Sequence, residues 1–504
     1  MSTLGSRALV ALLPVVAAFG ACTVDEPLRP RGDGPAVARA MGFFARERAS
    51  DPLVEARRAY ERDALFREAR FVDAVAPGHL FDSTRIDEAA IESGSIGVDT
   101  LWQIGAQLFH HELSPAEGLG GADLPFPRRF HSGFRGGPDA TSCASCHWRG
   151  GMAGAGDGAD QAYLQGDGDR ASSALPRDPI SLVGAGYVEL AAREMSAELA
   201  AQREALAAFA KATGRVARAP IRAKGVEFGV LSVDSEGRVD PLELVGVDAD
   251  LVVRPFGHKG SFSSLRDAVE DALLVHHGLQ TSHLVAARPR IVAKLGPYPA
   301  DDPDGDGVVD EITEGQLSAL TAFVAMTEVP IEDVPDSPLV SVSMLAEGRA
   351  RFVAIGCASC HVPTLELAST RWALPSRTGG APLVVELDRE GADPKLRPRA
   401  TDGRYALSLY SDLKRHDMGE SLAERRSDRG VPSAQFVTRP LWGLAASAPY
   451  LHDGRAPTIH EAIILHDGEA REARDAYVAL GEAGQAPLRV FLQSLTRAPT
   501  YTVR

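Results

Sequence analysis

The chain has 504 residues, enough for roughly two to four domains. Its 44% apolar and 24% charged residues exclude a disordered or fibrous protein, and the abundance of glycine (49) and proline (33) points to long loops and modest helices. A net charge of −15 argues against nucleic acid as a partner, since phosphates would be repelled, but leaves small basic proteins open.

Arg7 precedes an apolar run over residues 8–19, which is too short to span a bilayer and suits a signal peptide. Gly20 and Ala21 before Cys22 resemble a bacterial lipobox, with Phe19 where Leu is usual. The resemblance implies removal of residues 1–21, acylation of Cys22 and a membrane-surface lipoprotein facing the periplasm or cell exterior. Residues 22–95 then read as a tether followed by one or two surface helices. An N-terminal unit over residues 96–330 and a C-terminal unit over residues 331–504 complete the chain.

In the first unit, residues 104–109 read as a helix leading through a Gly- and Pro-rich loop to Cys143-Ala144-Ser145-Cys146-His147. Residues 150–168 are loop by composition, residues 195–213 an Ala-rich helix, and residues 225–253 a short strand pair. Asp302, Asp304, Asp306 and Gly307 have the order of a calcium loop, although the twelfth position is Thr313 and not Glu; a solvated acidic linker is the competing reading. Residues 314–326 read as a helix and residues 330–338 as a linker. Residues 343–355 form a helix that delivers Cys357-Ala358-Ser359-Cys360-His361, and residues 486–495 a closing helix.

C-x-x-C-H is the attachment pattern of c-type haem, in which two thiols bond the haem vinyl groups and the adjacent His lies under the iron. About 0.001 copies are expected by chance at this composition, and the chain has two. A four-cysteine zinc site would leave both His unexplained, and a redox dithiol needs no adjacent His. The expected cofactors are therefore two covalently bound haem c groups, on Cys143, Cys146 and His147 and on Cys357, Cys360 and His361. The expected fold is mainly α: two cytochrome c-like haem domains with long loops and minor β.

The haem pair, with Gly105-Ala106-Gln107-Leu108-Phe109 upstream, resembles the bacterial di-haem cytochrome c peroxidases. The resemblance is closer to the related di-haem oxidoreductases, some of them described as peroxidases or thiol oxidoreductases. It is carried by Tyr410-Ser411-Asp412-Leu413, His416-Asp417-Met418-Gly419, Thr438-Arg439-Pro440-Leu441-Trp442-Gly443, Tyr450-Leu451-His452-Asp453-Gly454-Arg455-Ala456 and Glu461-Ala462-Ile463-Ile464-Leu465-His466. In the first unit it is carried by Phe256-Gly257-His258-Lys259-Gly260 and His276-His277-Gly278-Leu279.

That resemblance implies a sixth ligand for the C-terminal haem at His466, with Met418 as competitor, and structural roles for His416 and His452. The peroxidases have a distal His sixteen residues after the first motif; here residues 158–173 contain none. Their Glu and Gln positions fall at His276 and about Ala268, and His258 stands where they place a Trp between the haems. His276 and His258 are thus the candidate catalytic residues for peroxide chemistry, and either could instead ligate the first iron; capping of a helix end is the bland alternative for His276 and His277. The resemblance also implies a possible calcium held by Asp178, Thr438 and Pro440. The activity expected is a peroxidase-like di-haem oxidoreductase taking electrons from a small donor protein or acting on a small molecule. An electron-transfer lipoprotein with no substrate of its own is the alternative.

Overall fold

The computed structural model describes residues 84–498, apart from 121–128, 132–133, 137–139, 157–161, 164–174, 288–301, 303–304, 306, 310, 336 and 339. The leader, the lipobox and most of the tether lie outside the described residues, as do residues 158–161 and 164–173 of the stretch after the first haem motif. The fold is 39% helix and 15% strand, a mixed architecture in which helices predominate and the strands form small sheets.

The eight principal helices are α1 (Val98–His110), α2 (Ala185–Thr213), α3 (Leu265–Ala272), α4 (Glu314–Ala325), α5 (Val342–Ala354), α6 (Ile459–Leu465), α7 (Arg471–Ala479) and α8 (Gly481–Ser494). Helix α2 starts ten residues before the Ala-rich stretch that marks it in the sequence, because its first turns are buried and carry Tyr187, Val188 and Leu190 into the core. The expected strand pair is a three-stranded antiparallel meander, β1 (Ala217–Ala223), β2 (Val226–Val233) and β3 (Val239–Asp240), whose first strand begins before the alternation that marks it. Further two-stranded ladders join β4 (Leu365–Leu367) to β7 (Tyr405–Leu407), β5 (Arg371–Leu374) to β6 (Leu383–Glu386), and β8 (Arg415–Asp417) to β9 (Gln435–Val437).

Two helix crossings repeat one design. In the first unit α1 packs on α4. A Cβ at Gly105 would collide with the Ala319 carbonyl and Phe323, so the missing side chain is what lets the backbones meet. In the second unit α5 packs on α8. There a Cβ at Gly348 would collide with the Pro487 carbonyl and Phe491. Four residues after each glycine, one helical turn on, stands a phenylalanine on the same face. Phe109 lies 5.0 Å from Phe323, and Phe352 lies 5.5 Å from Phe491, by ring centres. The sequence reading caught the first Gly-x-x-x-Phe and passed over the second. Replacing Gly348 by Val should destabilise the second unit by about 1–3 kcal/mol, the usual cost of overpacking, read as a lower denaturation midpoint.

The cores do not divide at residue 330. The larger cluster joins α1, α2, α4 and the meander to Leu365, Leu367, Trp372, Leu374, Val385, Leu387, Leu407 and Leu413. The smaller holds Phe352, Tyr410, Tyr450, Ile459, Ile464, Tyr477, Leu488 and Phe491. The ladders of residues 365–407 therefore serve the first core although they follow the second haem motif. Trp372 is fully buried and donates its indole N–H to Glu189 of α2 at 2.5 Å. Both units are tied elsewhere: the Asp178 amide bonds the His452 carbonyl at 2.8 Å, and Arg497 reaches the Met152 carbonyl at 2.8 Å.

Candidate di-haem site

The two C-x-x-C-H segments fold alike. The His147 amide bonds the Cys143 carbonyl at 3.0 Å, and the His361 amide bonds the Cys357 carbonyl at 3.0 Å. Each turn brings its His ring to the phenylalanine of its helix crossing: His147 lies 6.3 Å from Phe109 and His361 lies 6.4 Å from Phe352. Burial pushes the Cys143 thiol up to about 12 and the Cys357 thiol to about 11, so neither offers a thiolate at neutral pH. Among the described residues the four cysteines form no common cluster of metal ligands. Buried neutral sulfurs suit thioether links.

Three histidines share one preparation. His147 Nδ1 donates to the Ile180 carbonyl at 3.0 Å and lies 3.2 Å from that of Gly154. His361 Nδ1 donates to the Tyr410 carbonyl at 3.0 Å, and His466 Nδ1 to that of Ala462 at 2.7 Å. A proton held on Nδ1 leaves the Nε2 lone pair for a metal. Burial lowers the pKa of His147 and of His361 to about 4, and lowers that of His466. All three rings are therefore neutral at pH 7, the form that ligates.

Tyr410 is a site residue that sequence reasoning quoted but gave no role. The Ser411 amide bonds the Val362 carbonyl at 3.0 Å and the Asp412 amide bonds the Cys360 carbonyl at 2.9 Å. The segment is thereby zipped onto the motif, and the Tyr410 carbonyl falls under the His361 ring. His466 is set by a Thr458–Glu461 capping box at the start of α6, a signature legible as T-x-x-E.

His361 and His466 line one cavity of about 650 Å³, within the range of small-molecule and cofactor sites. Their ring centres are 6.5 Å apart. A metal–imidazole bond is about 2.0–2.1 Å, so two imidazoles on opposite sides of one ion hold their ring centres about 6 Å apart. The pair is spaced for that. Met418 lies on the same cavity wall. His416 is buried between Asp412 (2.8 Å) and Glu469 (2.7 Å). Burial opposes its charge, but bonds to Asp412 and Cys360 outweigh this and push its pKa up to about 11. Cys360, Asp412 and His416 form the one group with metal-ligand spacing among the described residues. A charged imidazole already held by two carboxylates is a poor ligand. His452 stacks on Phe436 at 4.4 Å, and burial holds its pKa at about 4.

His258 and His276 are held by different elements. His258 Nε2 bonds the Asp178 carbonyl at 2.8 Å, on the wall of the cavity that holds His361 and His466. Burial, then the charges of Arg439 and Arg177, keep it neutral. His276 instead belongs to the His147 side. It sits in a π-helical turn, Leu273–His277, that continues α3, and it lies within electrostatic reach of His147. Single π-turns occur often at functional sites. Its neighbour His277 is buried and anchors the loop instead, through Nδ1 to the Ala140 carbonyl at 2.9 Å and its own carbonyl to the Gly120 amide at 3.0 Å.

Residues 322–495 match the family model described as "Di-haem oxidoreductase, putative peroxidase". The di-haem oxidoreductase resemblance read from the motifs is borne out over that stretch, which contains the second motif, Tyr410, His416, Arg439 and His466. No curated protein matches the chain. Among solved structures it is similar to Kuenenia stuttgartiensis hydrazine synthase pressurised with 20 bar xenon, at 18% identity and a TM-score of 0.23. That similarity covers 37% of this chain and 57% of the other, so the chain spans little more than half of that structure's length.

Of the proposed calcium ligands, Asp178, Thr438 and Pro440 do meet on one cavity wall. The Thr438 carbonyl accepts the Ser411 hydroxyl at 2.7 Å. In the acidic loop, Asp302 accepts the amides of Gly305 (2.9 Å) and Gly307 (3.1 Å) as a turn does; Asp304 and Asp306 lie outside the described residues. Thr313 caps α4, its hydroxyl accepting the Gln316 amide at 3.1 Å.

Proposed function

We propose that the chain is a di-haem c-type oxidoreductase with unequal sites, in which electrons pass between a bis-His C-terminal haem and an N-terminal haem that reacts with peroxide. The observation that carries this reading is the repeated unit of Gly-x-x-x-Phe helix crossing and C-x-x-C-H turn, with His466 facing His361 at ligand spacing in the second unit and no such facing pair in the first among the described residues. Haem in such sites supplies one-electron chemistry and, where one face of the iron is free, a place for peroxide to bind. The chain's own part would be to fix His147, His361 and His466 through backbone carbonyls and keep them neutral, so that they could hold the haem groups. At the first site His276 is the group able to take a proton from one peroxide oxygen and pass it to the other. The electron-relay reading draws on the electrostatic reach of His276 to His147, because a ring on that side could instead ligate the first iron.

Calcium at Asp178, Thr438 and Pro440 has less in its favour, since Arg177 and Arg439 bring two positive charges to the same corner. Export and anchoring through an acylated Cys22 fit c-type haem attachment, which occurs outside the cytoplasm, and a small donor protein or small-molecule substrate would meet the protein there. The test of the central reading is pyridine haemochrome analysis, which should give two haems per chain, neither extractable by acid acetone. One haem per chain, or extractable haem, would sink it.

A further inference from the structure

We infer that Arg439 is the counter-charge for a propionate of the C-terminal haem and holds that haem's potential up. The inference rests on the reading that the cavity between His361 and His466 houses this haem. Arg439 follows β9 and turns its guanidinium to the wall of that cavity. Its Nη1 lies 3.5 Å from the Pro255 carbonyl, and its Nη2 donates to the Gly257 carbonyl. Its Nε is enclosed and has no hydrogen-bond partner. No carboxylate among the described residues pairs with it.

The neighbouring cations are provided for differently. Arg177 pairs with Glu424 at 2.8 Å and with Asp428 at 2.8 Å. Lys259, fully buried, lies 3.2 Å from Glu424, donates to the carbonyls of Pro432, Ser433 and Gln435, and sits 3.7 Å above the Phe436 ring. These two cations share Glu424, and Arg177 takes Asp428 as well; Asp178 lines the same cavity, but no ion pair joins it to Arg439 among the described residues, so Arg439 is left with two carbonyls and a like charge beside it. Burial and then Arg177 lower its pKa to about 10, which still leaves it charged at neutral pH. His258 and His452, on the same wall, are held neutral and add no charge.

An enclosed guanidinium without an acid is costly unless an anion completes it. A planar fork with a free N–H matches a carboxylate. The group proposed for this cavity carries two carboxylates on its rim. A cation there offsets propionate charge and so favours the ferrous state, because an uncompensated negative charge stabilises the ferric iron.

The experiment uses the full-length two-haem protein with Arg439→Gln and Arg439→Lys, a redox titration of each haem, and the propionate bending band in resonance Raman spectra. In Arg439→Gln the electron equilibrium between the haems should move away from the C-terminal haem by about tenfold or more, the size of one uncompensated charge at close range. Its propionate band should shift, while haem count and the spectrum of the N-terminal haem stay as they are. Arg439→Lys keeps the charge and loses the fork, so the potential should stay near wild type and the band should shift.

An unchanged potential and band in Arg439→Gln would overturn the proposal and leave Arg439 as a tie for the carbonyls of Pro255 and Gly257. If the Gln variant does not assemble, a Lys variant with a wild-type propionate band overturns it equally. An unchanged band together with weakened binding of added acetate would assign the cation to a diffusible anion, also against the proposal. A wild-type protein lacking its C-terminal haem would fail earlier, at the haem count, and would sink the underlying reading.

Discussion

Replacing His466 by alanine should turn the C-terminal haem high-spin and raise its reduction potential. The geometry makes the expectation specific. His466 faces His361 at 6.5 Å between ring centres, its Nδ1 is held by the Ala462 carbonyl, and its own carbonyl is held by Arg474 at 3.0 Å. The ring lines the same cavity as His361. Removing a strong nitrogen donor destabilises ferric more than ferrous iron. A rise on the order of 0.1 V fits within the roughly 0.8 V over which axial ligation moves haem potentials. The readouts are the optical and EPR spin-state signals and a redox titration. A variant that keeps the wild-type low-spin spectrum would place Met418, on the same wall, at the iron.

The expected haem-attachment segments were legible because C-x-x-C-H is a local pattern: sulfurs, adjacent ring and turn all come from five consecutive residues. His466 was reachable for a similar reason, since a capping box at Thr458 fixes where α6 begins and a helix has a known count. What sets the rings was not legible. Tyr410 lies 49 residues after His361, and Ile180 lies 33 after His147, and each acts through a backbone carbonyl, which leaves no mark on residue type. Arg439 was visible only as a letter in a motif, because a missing acid partner is a property of the fold. The larger core extends past residue 330 for a related reason: β4 to β7 pack back on the first core through contacts distant in sequence, such as Trp372 with Glu189. Strand content was underestimated because ladders of two to four residues are too short to show a period of two.

Replacing His276 by alanine should slow the reaction with hydrogen peroxide by about 10²–10⁴-fold, the usual contribution of a positioned proton-transfer group, while both haems remain attached and the C-terminal haem keeps its spectrum. His276 is singled out over its neighbours by what they already do. His277 is buried and ties the Ala140 and Gly120 loops, so its loss would act through structure. His258 lines the cavity that His361 and His466 also line, where its Nε2 is taken by the Asp178 carbonyl. His147 has its Nδ1 held by two carbonyls and is the expected proximal ligand of the first haem. His276 remains, on a π-turn that offsets it from the regular helix and within electrostatic reach of His147. The first turnover after mixing with peroxide, followed by stopped flow, measures the effect directly, and His276→Gln separates proton transfer from bulk by keeping a polar side chain with no basic nitrogen. Should His276→Ala instead turn the first haem high-spin and speed its binding of cyanide, the ring is an iron ligand. The chain would then have two bis-His haems, and relay of electrons, not reduction of peroxide, would be its work.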